Sequence, residues 1–181
     1  SQHPVRGGEE LNAMRKLTII AGLLLASSSA QAQNIRQAIE AYNDDKYADA
    51  AYLFYDVAQN TDDPDDRVKA EYYLARSLEK ADYLLPAWQY YGEVFNQGEE
   101  HPYFLRSTEG LLAVAEGLKD DILVPAMISR GYTTAFAQLQ AEDLNAINYM
   151  VGLLENNNRN FAESVAFLEA VTDKQSPYWI K

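Results

Sequence analysis

The chain has 181 residues, 48% of them hydrophobic, and carries 27 acidic against 15 basic side chains, a formal net charge of -12. This length and apolar content suffice for one domain with a substantial core, which argues against disorder by composition. Because so acidic a surface repels phosphate groups, we expect neither nucleic acid nor an anionic membrane surface as a partner.

The first predicted element is a secretory signal peptide over residues 14–32. After two basic residues comes an apolar run over residues 17–26, and the segment ends in A-Q-A, which fits the A-x-A cleavage pattern. This run is shorter than the roughly 20 residues that a membrane-spanning helix needs. We expect cleavage near Ala32-Gln33 and a periplasmic or secreted product without a transmembrane segment. The alternative is a buried core helix.

The absence of cysteine and the residues before the leader bear on how the exported protein is anchored and stabilised. The chain has no cysteine, so it lacks the residue that a lipid-anchored leader requires, and no disulfide can stabilise the exported protein. Residues 1–13, which precede the leader, are expected to be upstream translation or a tag without function. Packing alone must therefore stabilise the mature domain, which is predicted at residues 33–181.

Downstream of the leader the sequence repeats itself. LEKADYLLPAWQYYG at residues 78–92 and GLKDDILVPAMISRG at residues 117–131 share six identities in fifteen positions, at an offset of 39 residues. Such a period is typical of solenoids, because one unit cannot bury its own apolar face. Gly92 recurs as Gly131, which indicates the close approach of a neighbouring helix, since glycine inside a helix costs up to about 1 kcal/mol against alanine.

The clearest unit is predicted to contain two helices. Apolar residues recur at spacings of three and four over residues 67–80 and again over residues 84–96. Asp82, in the turn between them, is a suitable cap for the second helix. Pro86 then falls in the first turn of that helix, where its missing N–H breaks no helical hydrogen bond. The proline is therefore expected to mark the start of a helix and not a kink.

These helix pairs resemble the tetratricopeptide repeat (TPR), a 34-residue helix–turn–helix unit. Its pattern of an aromatic residue, alanine three later and an aromatic four after that is matched by Tyr47, Ala50 and Phe54. The third unit departs from the pattern, with Arg130 where the aromatic residue is expected. Equivalent positions follow one another at spacings of 37, 39 and 38 residues, at Tyr47, Leu84, Leu123 and Phe161.

The resemblance extends over residues 34–175 and implies an all-α fold, a TPR-like α-solenoid of antiparallel helix pairs. About four units are expected, with the start of a fifth at residues 177–181, so the domain is expected to be incomplete at its C-terminus. An unrelated helical bundle or another α-solenoid is the alternative. Because the spacing exceeds 34 residues, the superhelix geometry stays open.

Residues suited to chemistry are few. Glu99, Glu100 and His101 are consecutive, and consecutive residues rarely converge on one ion, so we expect a solvated loop there. The aspartates of residues 62–66 lack the glycine and distal glutamate of a calcium loop and are expected to cap a helix near Arg67. With no phosphate-binding glycine loop, nucleophile elbow or cysteine, the sequence predicts no enzyme activity, no cofactor and no metal site.

In the TPR family, side chains of the first helix of each pair line a concave groove that takes the ligand. Lys69, Arg76 and Lys80 form a basic stripe beside Tyr72 in an otherwise acidic chain. Aromatic and arginine side chains are the types that contribute most binding energy at interfaces. The groove positions implied by the resemblance are Ile39, Tyr42, Lys69, Tyr72, Arg76, Lys80, Leu111, Leu118, Tyr149 and Leu153.

From this groove we expect a non-catalytic scaffold or adaptor of the bacterial cell envelope, which binds a segment of another protein. The asparagines of the family's C-terminal-carboxylate clamp are missing from their expected positions, so that ligand class is not supported. The alternative function is a structural module that serves a catalytic or oligomerisation domain beyond residue 181.

Overall fold

The computed structural model describes residues 34–172 and Pro177, and every regular element in that part of the chain is helical. The all-α prediction is therefore confirmed for these residues. The signal peptide, residues 1–13 and residues 178–181 of the expected fifth unit lie outside them. Among the described residues, no helix has the length and hydropathy needed to cross a membrane.

The helices follow one another through short connections. The predicted helix over residues 84–96 agrees with the observed one to within a residue at its end. In chain order the elements are α1 (residues 34–43), α2 (Tyr47–Asn60), α3 (Pro64–Lys80), α4 (Leu84–Phe95), α5 (Phe104–Leu118), α6 (Leu123–Arg130), a 3-10 helix (Thr134–Gln138), α7 (Ala141–Asn157) and α8 (Phe161–Glu169).

Helix α3 begins earlier than its apolar spacing predicts, at Pro64 instead of Arg67. Asp63 is the N-cap, and its carboxylate accepts hydrogen bonds from the backbone N–H groups of Asp65 (2.9 Å) and Asp66 (3.2 Å). Pro64 takes the first helical position, where no N–H is required. The predicted capping role of this aspartate cluster is confirmed, and the cap simply acts on an earlier turn.

Four turns between consecutive helices share one backbone geometry. In each turn one residue adopts a left-handed conformation, with φ between 54° and 65°. The N–H of the next residue donates to the carbonyl five positions earlier, at 2.8 to 2.9 Å. This Schellman arrangement satisfies carbonyl groups left open at a helix end. The left-handed residues are Asp45, Asp82, Lys119 and Arg159.

The predicted role of Asp82 as a helix cap is therefore wrong. Asp82 has φ 64° and ends α3, while the N-cap of α4 is Tyr83, which makes no side-chain capping bond. Aspartate tolerates the left-handed region better than most residues, which accounts for its use at this position. Pro86 lies in the first turn of α4, as predicted.

Two apolar clusters form the core. The smaller joins α1, α2 and α3 around Phe54, whose ring stacks on Tyr73 with centroids 5.5 Å apart. The larger extends from α3 to α7 and includes the fully buried Tyr91. Tyr73, Leu78 and Tyr90 contact both clusters, so apolar packing is continuous along the described chain.

Helices that are adjacent in sequence pack on each other most extensively, α2 on α3, α3 on α4, α4 on α5 and α7 on α8. Helix α5 also contacts α3 and α7, and therefore lies between them. Helix α6 is short and packs on α7 more than on α5. This arrangement brings α5 and α7 together on one surface of the molecule.

The close approach predicted at the recurrent glycines is confirmed. A Cβ atom at Gly92 would lie 2.9 Å from Met127 Cε, and one at Gly131 would overlap the ring of Phe95. Gly131 caps the end of α6, however, and does not lie inside a helix. The tightest helix contact is at Gly110 of α5, where a Cβ atom would lie 2.6 Å from two carbons of the Tyr91 ring.

Substituting Gly110→Ala should therefore lower the free energy of unfolding by about 1–3 kcal/mol, the usual effect of overpacking. The Tyr91 ring is fully buried and cannot move aside. Gly92→Ala is the matched control, because the Met127 side chain is flexible and the alanine favours the helix. Urea unfolding followed by circular dichroism measures both, and equal stability of the two variants would contradict the packing argument.

Candidate functional site

Two of the three cations of the predicted basic stripe on α3, Lys69 and Arg76, form ion pairs within the protein. Arg76 forms an ion pair with Glu79 at 2.8 Å, and Lys69 lies 4.0 Å from Asp66. Glu79 also accepts a hydrogen bond from the Tyr91 hydroxyl at 2.6 Å. Burial and this bond raise the pKa of Tyr91 far above its ordinary value, so its hydroxyl stays a donor. Arg76 is thus committed to internal contacts.

Two other predicted groove residues lie in the core. Tyr72 is 8% exposed, and its ring stacks on Tyr103 with centroids 4.7 Å apart. Leu111 is fully buried, so its side chain does not reach a surface where a partner could bind. The neighbouring Leu112, also on α5, lines the space between α5 and α7 instead.

The remaining positions are more accessible. Ile39 and Tyr42 are half-buried against the smaller cluster, and Tyr42 meets the ring of Tyr73 edge-on at 5.3 Å. Lys80 is exposed at the end of α3, and Leu118 is 37% exposed at the end of α5. Tyr149 and Leu153 are the predicted positions that the structure brings into a cleft.

This cleft lies between α5 and α7 and has a volume of about 450 Å³. Pockets that hold ligands commonly measure about 300 to 1,000 Å³. The α5–α6 turn closes one end through Lys119, Asp120 and Asp121. The apolar part of the lining comes mainly from Leu112 on α5 and from Ala146, Met150 and Leu153 on α7.

Carboxylates dominate the polar part of the lining. There are six of them against the single ammonium group of Lys119, a formal charge of -5. No ion pair between described residues involves any of the six. They are Glu109, Glu116, Asp120, Asp121, Glu142 and Asp143.

One of these carboxylates has a structural role. Asp120 accepts hydrogen bonds from the backbone N–H groups of Leu123 (3.1 Å) and Val124 (2.7 Å), and so fixes the start of α6. Two other carboxylates of the lining, Glu109 and Asp143, have raised pKa values. Burial, and then the charge of Asp143, raise the pKa of Glu109, while burial and the charge of Glu142 raise the pKa of Asp143. The cleft therefore concentrates negative charge beside apolar surface.

His101 does not lie in a solvated loop, contrary to the prediction. Its side chain is 4% exposed, its Nδ1 accepts a hydrogen bond from the Tyr103 N–H at 3.1 Å, and its Nε2 lies 3.5 Å from Glu71 Oε2. The loop after α4 folds onto α3, and this tertiary contact has no local sequence signal. Among the described residues, no group of three His, Cys, Asp or Glu side chains could hold a metal ion.

Sequence reasoning missed the acidic lining and the side chains of Leu112 and Met150. A signal was present on α5, where Glu109, Leu112 and Glu116 recur at spacings of three and four and so share one helix face. The resemblance directed attention to basic and aromatic positions instead. No protein-family model matches the chain, and no curated protein or solved structure matches it significantly.

The burial of the His101 imidazole predicts how the free energy of unfolding depends on pH. Burial lowers the pKa of His101 although Glu71 opposes this, so below about pH 6.5 the unfolded chain binds more protons than the folded one. The contribution of His101 to stability should therefore fall as the pH is lowered through that value. In His101→Gln the group cannot titrate, so between about pH 7.5 and 5.5 the wild type should lose more stability than the variant.

Urea unfolding of both proteins at each pH measures this difference. Carboxylates remote from His101 contribute equally to both proteins and cancel in the comparison. Glu71 contacts His101, so it is replaced by glutamine in both proteins. Identical slopes for wild type and His101→Gln would show that His101 is not held neutral by burial.

Proposed function

We propose that this chain is a non-catalytic interaction scaffold of the bacterial cell envelope, and that it binds a segment of another protein between α5 and α7. The observation that carries the proposal is the cleft of about 450 Å³, in which apolar side chains, among them the exposed Leu153, lie beside carboxylates. Interfaces commonly have this anatomy, with apolar anchors surrounded by polar groups. The location in the envelope rests on the signal peptide expected from the sequence.

The proposal includes a TPR-like α-solenoid of helix pairs. Two observations support it: the four turns with one shared backbone geometry, and the position of α5 between the alternate helices α3 and α7. In a solenoid each repeat contacts its neighbours, and the first helices of successive repeats create an extended binding surface. The cleft lies where two such helices meet.

The energetics of binding would come from a few side chains. Tyr149, Met150 and Leu153 lie on one face of α7, and Leu153 is 36% exposed within the cleft. Burying an apolar side chain against them gains about 25 cal/mol for each Å² removed from water. Aromatic and apolar anchors of this kind contribute most of the affinity at interfaces.

A structural role beside another domain or subunit is the second candidate function. It is favoured by apolar side chains exposed near the starts of α4, α6 and α8. Leu85 is 62% exposed, and Ile122 and Phe161 are each 61% exposed. A neighbouring domain that covered the starts of these three helices would bury these apolar side chains.

A photo-crosslinking amino acid at Leu153 of the full chain, expressed with export to the envelope, distinguishes the two candidates. We expect one protein to be captured at Leu153 and none at a control probe at Tyr52, which is 72% exposed on α2. Ala113→Trp, at an exposed position of the cleft lining, should abolish capture by filling the cleft. Ala162→Trp, exposed on α8, should leave capture unchanged.

A third probe at Leu85 completes the comparison. Capture at Leu85 that Ala113→Trp does not affect, together with none at Leu153, would favour the structural module. Capture at Leu153 that survives Ala113→Trp would show that the cleft is not the binding site.

A further inference from the structure

The charge of the α5–α7 cleft restricts what can occupy it. Carboxylates on α5, on α7 and in the α5–α6 turn line the cleft. The apolar part of the lining has a low dielectric constant, so the electric field of these charges is concentrated in the cleft. Outside the lining, Arg106 and Arg76 act on Glu109, and Arg76 is already paired with Glu79. An anionic or acidic occupant would meet repulsion along most of the rim.

The raised pKa values of Glu109 and Asp143 also favour a cationic occupant over an anionic one. Burial and neighbouring negative charge disfavour the ionised forms of both side chains. A positive group placed between these carboxylates would remove part of that penalty. The cleft thus interacts more favourably with a cation than an exposed acidic surface of the same charge would.

Charge alone does not define the occupant, because the cleft is also apolar. Leu112, Ala146, Met150 and Leu153 present hydrocarbon between the two acidic walls. A hydrated metal ion would leave this surface in contact with water, and the described residues contain no metal-binding group. A polyamine would satisfy the carboxylates but would bring no bulky apolar group to the lining.

We propose that the cleft binds a cationic peptide segment, in which lysine or arginine side chains flank an apolar one. This proposal rests on the proposed function and names the chemistry of the partner. The apolar side chain packs between Leu112, Met150 and Leu153, and the basic side chains reach Glu116 on α5 and Glu142 and Asp143 on α7. Opposite charges at these positions give both orientation and specificity to the bound segment.

Fluorescence anisotropy of labelled synthetic peptides with the full chain tests the proposal. One peptide has leucine flanked by lysines, and a matched peptide has glutamine in place of each lysine. We expect the lysine peptide to bind at least about tenfold more tightly, since several charge pairs act together. Raising NaCl from about 0.1 to 1 M should weaken the lysine peptide about tenfold, because the screening length falls from about 10 to 3 Å.

The charge variant is Glu116→Gln/Glu142→Gln/Asp143→Asn, which should weaken the lysine peptide about tenfold and leave the glutamine peptide unchanged. Its matched control, Asp49→Asn/Glu163→Gln/Glu169→Gln, changes the net charge equally and also removes acidic residues from first helical turns. The control should retain binding to within about twofold, since its carboxylates lie outside the cleft. Circular dichroism establishes that both variants are folded.

Leu153→Ser separates this proposal from the proposed function. Equal affinity for the two peptides, lost in Leu153→Ser, would keep the cleft as a peptide site and overturn its preference for cations. Binding that responds neither to Leu153→Ser nor to the charge variant would overturn both. Binding of spermine without binding of either peptide would identify the occupant as a polyamine. Self-association of the chain that is lost in Leu153→Ser would identify the occupant as a second copy of the chain. Either result overturns the proposal.

Discussion

The Tyr91 side chain joins three helices, and the position of the cleft depends on it. It belongs to α4, its hydroxyl donates to Glu79 of α3, and its ring lies against Gly110 of α5. A fully buried ring that meets a glycine fixes the distance between α4 and α5, since neither partner can adjust. Because α5 forms one wall of the cleft, the geometry of the candidate site begins with this contact.

The same interaction decides where charge remains on the molecule. Glu79 holds the Tyr91 hydroxyl and Arg76 together, so the strongest cation of α3 is used for internal structure. A partly buried pair of this kind supports the fold because removing one partner would leave the other uncompensated. The carboxylates between α5 and α7 have no comparable partner among the described residues. The candidate cleft is therefore acidic, although the sequence predicted a basic stripe in the groove.

Local features of this fold could be predicted, because they depend on neighbours in sequence. Apolar spacing located α4, and the position of Pro86 marked its first turn. The recurrence of Gly92 indicated a helix contact, which the structure places at Met127. The burial of His101 and of Leu111 and the left-handed turn at Asp82 could not be predicted from the sequence. Each depends on how one helix packs on another, which local pattern does not specify.

Some carboxylates of the acidic cleft lower the stability of the folded protein. Carboxylates whose pKa values are raised by burial and by like charge make the ionised folded state less stable than exposed carboxylates would. Asp143 lies in the first turn of α7, where the positive end of the helix dipole offsets part of this effect. Glu109 lies further along α5, away from the positive end of a helix dipole, and Arg106 and Arg76 offset part of the rise in its pKa. Folding alone does not account for Glu109 and Asp143 beside the apolar lining, because raised pKa values mean that their ionised side chains oppose folding. A partner that supplies positive charge and an apolar side chain would relieve both features at once.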